Sequence, residues 1–122
     1  MTHLNDYDRY DSAYLPPVVA RYVETQADPA QRATLADLFA VGARVVDEGI
    51  EYAGVEEIRG WLEKSASVYT YTTTPLGQRS GDGGRWVVLV RLEGNFPGSV
   101  VDLRYQFVVV DGDRIGDLVI AI

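Results

Sequence analysis

The second half of the chain, from residue 68 to residue 122, most constrains what this sequence can fold into. Apolar residues alternate there with polar ones, and β-branched and aromatic side chains are frequent, which is typical of strands. Glycine-containing segments interrupt this alternation at 77–84, 95–98 and 111–112 and predict a loop, a turn and a tight hairpin. We therefore predict four strands: Val68 to Pro75, Arg85 to Gly94, Val101 to Val110 and Arg114 to Ile122.

The first half of the chain favours helices instead. An apolar stripe that includes Tyr22 predicts helix one over residues 16–26, with two prolines in its first turn. Residues 28–31, Asp-Pro-Ala-Gln, have the pattern of a helix start, and an apolar face extends this predicted helix two to Phe39. Gly42 is expected to end it, before a short strand over 43–47. Apolar residues at three- and four-residue spacing predict helix three from Gly54 to about Ser67.

This order of elements predicts an α+β fold with three N-terminal helices packed on a strongly curved, mostly antiparallel sheet. Glycine and proline near strand ends, such as Gly94 and Pro97, permit strong bending of the sheet. A bent sheet that is covered on one face makes a cone whose open end can hold a small ligand.

Composition limits the classes of function. With 122 residues, 47% of them hydrophobic, the chain suits one domain, which we place at 13–122 after a flexible acidic lead at 1–12. No apolar run is long enough to cross a bilayer and no basic, apolar leader begins the chain, so we expect a cytoplasmic protein without a membrane partner. A net charge of −7 argues against nucleic acid as a partner. The absence of cysteine excludes disulfides and thiol chemistry.

Acid-base chemistry in the body of the domain has to use residues other than histidine, because the single His, His3, lies in the lead. Asp47 follows Val45 and Val46 at a predicted strand end, where a partly desolvated carboxylate acquires a raised pKa and can transfer protons. The alternative is an Asp that accepts hydrogen bonds from turn amides.

Aromatic residues supply the other candidates. Tyr22 lies on the inner stripe of helix one, where its hydroxyl either donates to an oxyanion or belongs to the core. Strand alternation places Tyr105 and Phe107 on the inner face, together with Leu118 of the last strand. Further aromatic surface comes from Trp61, Tyr71 and Phe96, which belong to a ligand site, to the core or to an interface.

Several strings resemble the nuclear transport factor 2-like superfamily, in particular its SnoaL-like members. They include Leu15-Pro16, Arg21-Tyr22-Val23, the segment 43–47, the turn Asn95-Phe96-Pro97-Gly98 and the closing Asp-Gly-Asp-Arg-Ile hairpin. The resemblance implies a cone-shaped, cystatin-like fold. Ketosteroid isomerases of this superfamily place a Tyr and a general-base Asp where Tyr22 and Asp47 stand. Their second oxyanion donor, an Asp, falls near Tyr105, so that Asp is missing here.

Two functions follow from the resemblance. One is a SnoaL-like enzyme, without cofactor or metal, that isomerises, cyclises or dehydrates a small apolar carbonyl compound. Its catalytic residues are Asp47, Tyr22 and Tyr105, and its substrate-binding residues are Trp61, Tyr71, Phe96, Phe107 and Leu118. The alternative is a non-catalytic module of the same fold that binds a small ligand or a protein partner. In either case we expect a homodimer formed through the outer sheet face.

Overall fold

A computed structural model describes residues 6–122; the prediction for His3 lies outside them. Within this range the helices are α1 (Pro17–Thr25), α2 (Pro29–Arg32) and α3 (Val55–Val68). The strands are β1 (Phe39–Asp47), β2 (Ile50–Ala53), β3 (Tyr71–Ser80), β4 (Arg85–Gly94), β5 (Val100–Val110) and β6 (Arg114–Ala121). Short 3-10 turns cover Ser12–Tyr14 and Leu35–Leu38.

The strands form one curved, open sheet in the order β2-β1-β6-β5-β4-β3. All neighbours are antiparallel except β1 and β6, which run parallel. A parallel pair requires a long crossover, and here α3 and the three strands β3 to β5 supply it. The helices lie against the sheet, so the predicted α+β class and cystatin-like architecture are confirmed. No helix in residues 6–122 has the length and apolar character to cross a membrane.

The core lies between the helices and the inner face of the sheet, and strand alternation determines which residues enter it. Tyr105 and Phe107 of β5 are buried there, while Arg91 of β4 and Asp102 of β5 pair on the outer face at 2.8 Å. Leu118 of β6 is fully buried. The predicted inner face of the meander is therefore confirmed.

Helix two differs from the prediction. The helix begins as expected, with the Asp28 side chain accepting from the Ala30 amide at 3.0 Å, but it ends at Arg32. The Thr34 hydroxyl then donates to the Gln31 carbonyl at 2.7 Å, a local bond that competes with helix continuation. Phe39 already pairs with Ile115 of β6. Gly42 therefore lies inside β1 and ends no helix.

The sheet contains one strand that was not predicted, β2, and one strand that is longer than predicted, β3. β2 was missed because a four-residue strand next to a turn shows too short an alternation to be recognised. β3 continues to Ser80, where a loop from Gly77 was predicted, and its pairing with β4 shifts between Pro75 and Gly77. The loop prediction was wrong because Gly77 serves close packing and not a turn: a Cβ there would lie 2.7 Å from the Tyr7 Cβ.

The described part of the N-terminal lead contacts the edge of β3. Asp8 and Gln78 exchange two backbone hydrogen bonds, at 2.8 and 2.9 Å. The buried Gln78 side chain also accepts from the Asp11 amide at 2.8 Å and donates to the Asp11 carbonyl at 3.2 Å. These contacts cover the free edge of β3 around Gln78. The mobility of residues 1–12 in solution stays a prediction.

Candidate functional site

Asp47 is the last residue of β1, and its carboxylate is half-buried. The indole nitrogen of Trp61, on α3, donates to its Oδ2 atom at 3.1 Å. Trp61 in turn packs on Tyr52 of β2, with 5.8 Å between the ring centroids. Helix α3 and strand β2 thus fix the orientation of the carboxylate through one oxygen, and the Oδ1 atom has no protein donor among the side chains described.

Burial raises the pKa of Asp47 above its ordinary range, and it is the largest influence on this group. The hydrogen bond from Trp61 lowers the pKa, the charge of Glu48 raises it, and the Glu48 backbone amide lowers it, with a net increase. A carboxylate with a raised pKa accepts a proton more readily near neutral pH than a solvated one does. This property suits a group that takes and returns protons.

Three phenols lie in the interior near Asp47. Tyr22 of α1 and Tyr105 of β5 are buried, with 6.2 Å between their ring centroids, and Tyr71 is half-buried at the start of β3. The hydroxyls of Tyr71 and Tyr105 both donate to the Oε1 atom of Gln26, at 3.2 and 3.0 Å. Within residues 6–122 no side chain or backbone group is hydrogen-bonded to the Tyr22 hydroxyl. Tyr22 itself is buried, with 2% of its surface exposed.

Two charges of opposite sign act on these phenols. Burial raises the pKa of Tyr22 and of Tyr105 well above the ordinary range, and raises that of Tyr71 to about 12. For all three, the charge of Asp47 raises the pKa further and the guanidinium of Arg32 lowers it. The phenols are thus protonated at neutral pH and can serve as hydrogen-bond donors.

Arg32, the last residue of α2, is buried with 1% of its surface exposed. Its Nε donates to the Gln26 carbonyl at 2.6 Å, and its Nη1 donates to the carbonyls of Ser65 and Tyr69 at 3.0 and 3.1 Å. The guanidinium also lies 4.2 Å from the centroid of the Tyr71 ring. Arg32 therefore satisfies carbonyls at the C-terminal ends of both α1 and α3, where the helix dipole favours a cation.

Sequence reasoning missed both Gln26 and Arg32. Gln26 stands four residues after Tyr22, so helical periodicity could have placed the two side chains on one face of α1. For Arg32 the sequence carried no such signal, because its partners belong to helix ends that only the tertiary fold brings together.

The remaining predicted ligand residues occupy different depths. Phe96 lies partly buried in the turn between β4 and β5 and packs against the core. Phe107 and Leu118 are fully buried, and the Phe107 ring lies 5.7 Å from that of Tyr22 and 6.4 Å from that of Tyr105. Their contact with a ligand stays a prediction, as do the catalytic roles of Asp47, Tyr22 and Tyr105.

An open groove of about 390 Å³ lies elsewhere, at the start of α1. It is lined by Pro17, Val18, Arg21, Asp37, Leu38, Asp113 and Arg114, none of which is a predicted site residue. Two of its four charged side chains are hydrogen-bonded to structural partners: Asp113 accepts from the Val18 amide at 3.2 Å, and Arg114 donates to the Asp37 carbonyl at 3.1 Å. We therefore place the candidate site in the interior around Asp47. Across residues 6–122, no group of three or more acidic or His side chains is placed to hold a metal ion.

Comparison with known proteins gives matches at the level of structure. No family model and no curated protein matches the sequence. Among solved structures, a Sinorhizobium meliloti protein provisionally assigned as a polyketide cyclase is 34% identical, with a TM-score of 0.81; the match covers 92% of this chain and 100% of that one.

Two more distant structures share the fold. The epoxide hydrolase/cyclase-like enzyme SalBIII, which has a role in pyran ring formation in the polyether salinomycin, is 16% identical, with a TM-score of 0.72 over 85% of this chain and 86% of that one. A Catenulispora acidiphila protein with a ketosteroid isomerase-like fold, in complex with trimethylamine, is 18% identical, with a TM-score of 0.69 over 88% and 86%.

Fold and comparisons together define a cone-shaped α+β protein in which helices cover one face of a curved sheet. The chain belongs to the nuclear transport factor 2-like superfamily and is a SnoaL-like protein within it. This scaffold carries many different activities, so the activity has to be argued from the site.

Proposed function

We propose that this protein is a SnoaL-like enzyme that moves a proton on a small apolar carbonyl compound and thereby isomerises, cyclises or dehydrates it. The observation that carries the proposal is the half-buried Asp47 carboxylate, oriented by Trp61 and close enough to Tyr22 and Tyr105 to influence their pKa values. The 34% sequence identity to a protein provisionally assigned as a polyketide cyclase supports the same class of chemistry.

In the shared step, the Asp47 carboxylate takes a proton from the carbon next to the carbonyl. The electron pair of that C–H bond forms the new C=C bond, and the carbonyl π electrons move to oxygen to give an enolate. The Tyr22 hydroxyl donates a hydrogen bond to this oxygen and stabilises its charge. In a β,γ-unsaturated carbonyl compound, protonated Asp47 then returns the proton to the γ carbon. The Cβ=Cγ π electrons form the new C–H bond, the C=C bond of the enolate shifts to Cα=Cβ, and the oxygen re-forms the carbonyl, which completes an isomerisation. All groups that this step needs belong to the protein, so no cofactor is required.

Tyr105 has a different position in this scheme. Its hydroxyl proton is already directed at Gln26, at 3.0 Å, so Tyr105 becomes the second donor to the enolate only by exchanging that partner. Tyr22 is therefore the principal donor. We expect loss of the Tyr22 hydroxyl to reduce turnover more than loss of the Tyr105 hydroxyl.

Exchange of carbon-bound hydrogen tests the proton transfer without knowledge of the natural substrate. Small cyclic ketones and 1,3-diketones would be incubated with the protein in D2O, and deuterium incorporation would be followed by NMR. Replacing Asp47 with Asn should slow catalysed exchange by about 100-fold or more, the usual contribution of a positioned general base. The adjacent exposed carboxylate provides the matched control, since Glu48→Gln should retain exchange. Equal rates for the Asp47→Asn variant and the wild type would refute the role of Asp47.

The second candidate is a module that binds a small ligand without turnover. It is favoured by the aromatic packing of the interior, where the Tyr22 ring contacts Phe39 and Phe107 edge to face, at 6.1 and 5.7 Å. Binding of ketones without any catalysed exchange in the wild type would select this function over the enzyme.

A further inference from the structure

Two buried nitrogen donors near the phenols have no acceptor. The Nε2 atom of Gln26 and the Nη2 atom of Arg32 are unpaired within residues 6–122. The two residues expose only 2% and 1% of their surface, so water does not reach these atoms. Buried donors are nearly always paired, because an unpaired one loses its hydration without compensation.

The same cluster carries an unbalanced charge. The acceptors of Arg32 are neutral: the backbone carbonyls of Gln26, Ser65 and Tyr69, and the Ser65 hydroxyl at 3.2 Å. In the described part of the chain no carboxylate forms an ion pair with it. Since buried arginines are usually paired with an acid, the cluster lacks one negative charge.

Gln26 joins the two donors to the candidate site. Its side chain oxygen accepts hydrogen bonds from the hydroxyls of Tyr71 and Tyr105, and its backbone carbonyl accepts one from Arg32 Nε at 2.6 Å. The Tyr71 ring touches both residues, because it lies over the guanidinium and its hydroxyl reaches the amide. Because Tyr71 is half-buried while the other two are fully buried, a ligand would enter on the side of its ring.

We propose that Gln26 Nε2 and Arg32 Nη2 receive a carboxylate of the ligand, so that the substrate is a small apolar oxo acid. The identification of the ligand as a substrate rests on the proposed function; binding of the carboxylate does not. The acid supplies the charge that Arg32 lacks and an acceptor for each unpaired nitrogen. The carbonyl group of the same molecule then lies toward Tyr22 and Asp47.

A matched pair of probes tests this site. The 2-naphthoate anion and the neutral 2-naphthamide have the same shape and differ in charge, and their binding would be measured by calorimetry. The wild type should bind the naphthoate at least about tenfold more tightly, the lower end of what a hydrogen bond to a charged group contributes. No binding of either probe, or equal binding of both, would overturn the proposal.

Replacing Gln26 with Glu is the decisive variant. A glutamate retains an oxygen acceptor for Tyr71 and Tyr105, removes the Nε2 donor and places a carboxylate beside Arg32. We expect this variant to fold, with a melting temperature equal to or above that of the wild type, and to lose the preference for naphthoate. The exposed Gln31→Glu variant makes the same change in net charge and should keep the preference. Should Gln26→Glu fail to fold, Gln26→Met should lower the preference severalfold without adding charge.

The Asp47→Asn variant separates this inference from the proposed function. Because it removes a nearby negative charge and leaves the carboxylate site intact, it should bind naphthoate at least as well as the wild type while exchange is lost. Suppose that the wild type prefers naphthoate, that Gln26→Glu loses this preference, and that the wild type catalyses no exchange. This combination would support the anion site and refute the proposed enzymatic function. A preference that persists unchanged in Gln26→Glu would overturn the anion site alone.

Discussion

Arg32→Met provides a quantitative test of how the helices are held together. The methionine is similar in length and apolar, so it fills part of the space while it removes every hydrogen bond of the guanidinium. The carbonyl of Ser65 keeps a partner, the Tyr69 amide at 2.9 Å, whereas those of Gln26 and Tyr69 lose the bond that Arg32 supplies. The substitution thus leaves two helix-end carbonyls without their donor.

The size of the effect follows from those two carbonyls. Hydrogen bonds from a charged donor contribute about 1.5 to 3 kcal/mol each, and the contact with the Tyr71 ring adds about 1 kcal/mol. The cation no longer has to be desolvated in the variant, which offsets part of this loss. We expect a net loss of about 3 to 4 kcal/mol in the free energy of unfolding, or roughly 10 to 15 °C in melting temperature for a domain of this size.

Urea and thermal unfolding followed by circular dichroism would measure this loss. The control is Arg59→Met, on the exposed face of α3, where Arg59 pairs with Glu56 at 2.6 Å and with Asp37 at 3.9 Å. Exposed pairs of this kind contribute less than about 1 kcal/mol. If Arg32→Met unfolds within about 1 kcal/mol of the wild type, the bonds from Arg32 do not hold α1 and α3 together and the reasoning fails.

Two further predictions concern pH and assembly. Because the pKa of Asp47 is raised on folding, the folded protein binds its proton more tightly than the unfolded chain, and stability falls as the pH rises from the ordinary value of 3.8 through the folded one. The stability gained by Asp47→Asn in urea unfolding should therefore be larger near pH 7 than near pH 3.5, and an equal gain at both would contradict the raised pKa. We also expect a homodimer formed through the outer sheet face, which the sequence predicts to carry Val87, Leu89, Val108 and Val119 between Arg91 and Arg104; of these, Leu89 is already buried within the chain. Light scattering should give twice the chain mass, Val119→Arg should halve it, and a monomeric wild type would refute the dimer.

Local sequence patterns were sufficient to predict an element where local forces determine its structure. The bounds of β4, Arg85 to Gly94, were predicted from alternation and flanking glycines, and those of α1 were predicted to within one residue from its apolar stripe. α1 presents one apolar face to the core, so the period of its sequence reports its environment directly. In β4 the same holds for Val88, Val90 and Leu92, although Leu89 between them is also buried.

The sequence misled where distant residues decide the structure. Gly77 belongs to a strand because Tyr7, seventy residues earlier in the chain, packs against it. Phe39 leaves the predicted helix because it pairs with Ile115 near the other end of the chain. These are tertiary contacts that override local propensity, and single-sequence patterns do not contain them.

The candidate site shows the same division. Asp47, Tyr22 and Tyr105 were recognisable because strand ends and helical stripes place them inward, and the resemblance pointed to the same positions. Gln26 and Arg32 were not, since their importance arises from how two helix ends and two strands meet. The sequence thus indicates the candidate proton-transfer residues but not Gln26 and Arg32, which lie next to them in the fold.

The interior polar groups are difficult to explain by stability alone. Asp47 is held where burial disfavours its charge, and Arg32 is buried without an acid beside it. An apolar residue of similar volume at position 47 would avoid the first cost, whereas the bonds from Arg32 to the ends of α1 and α3 offset the second. The two charges nevertheless act with opposite sign on the same three phenols. A cost such as that at Asp47 is typical of a residue retained for function, because packing alone would have replaced it.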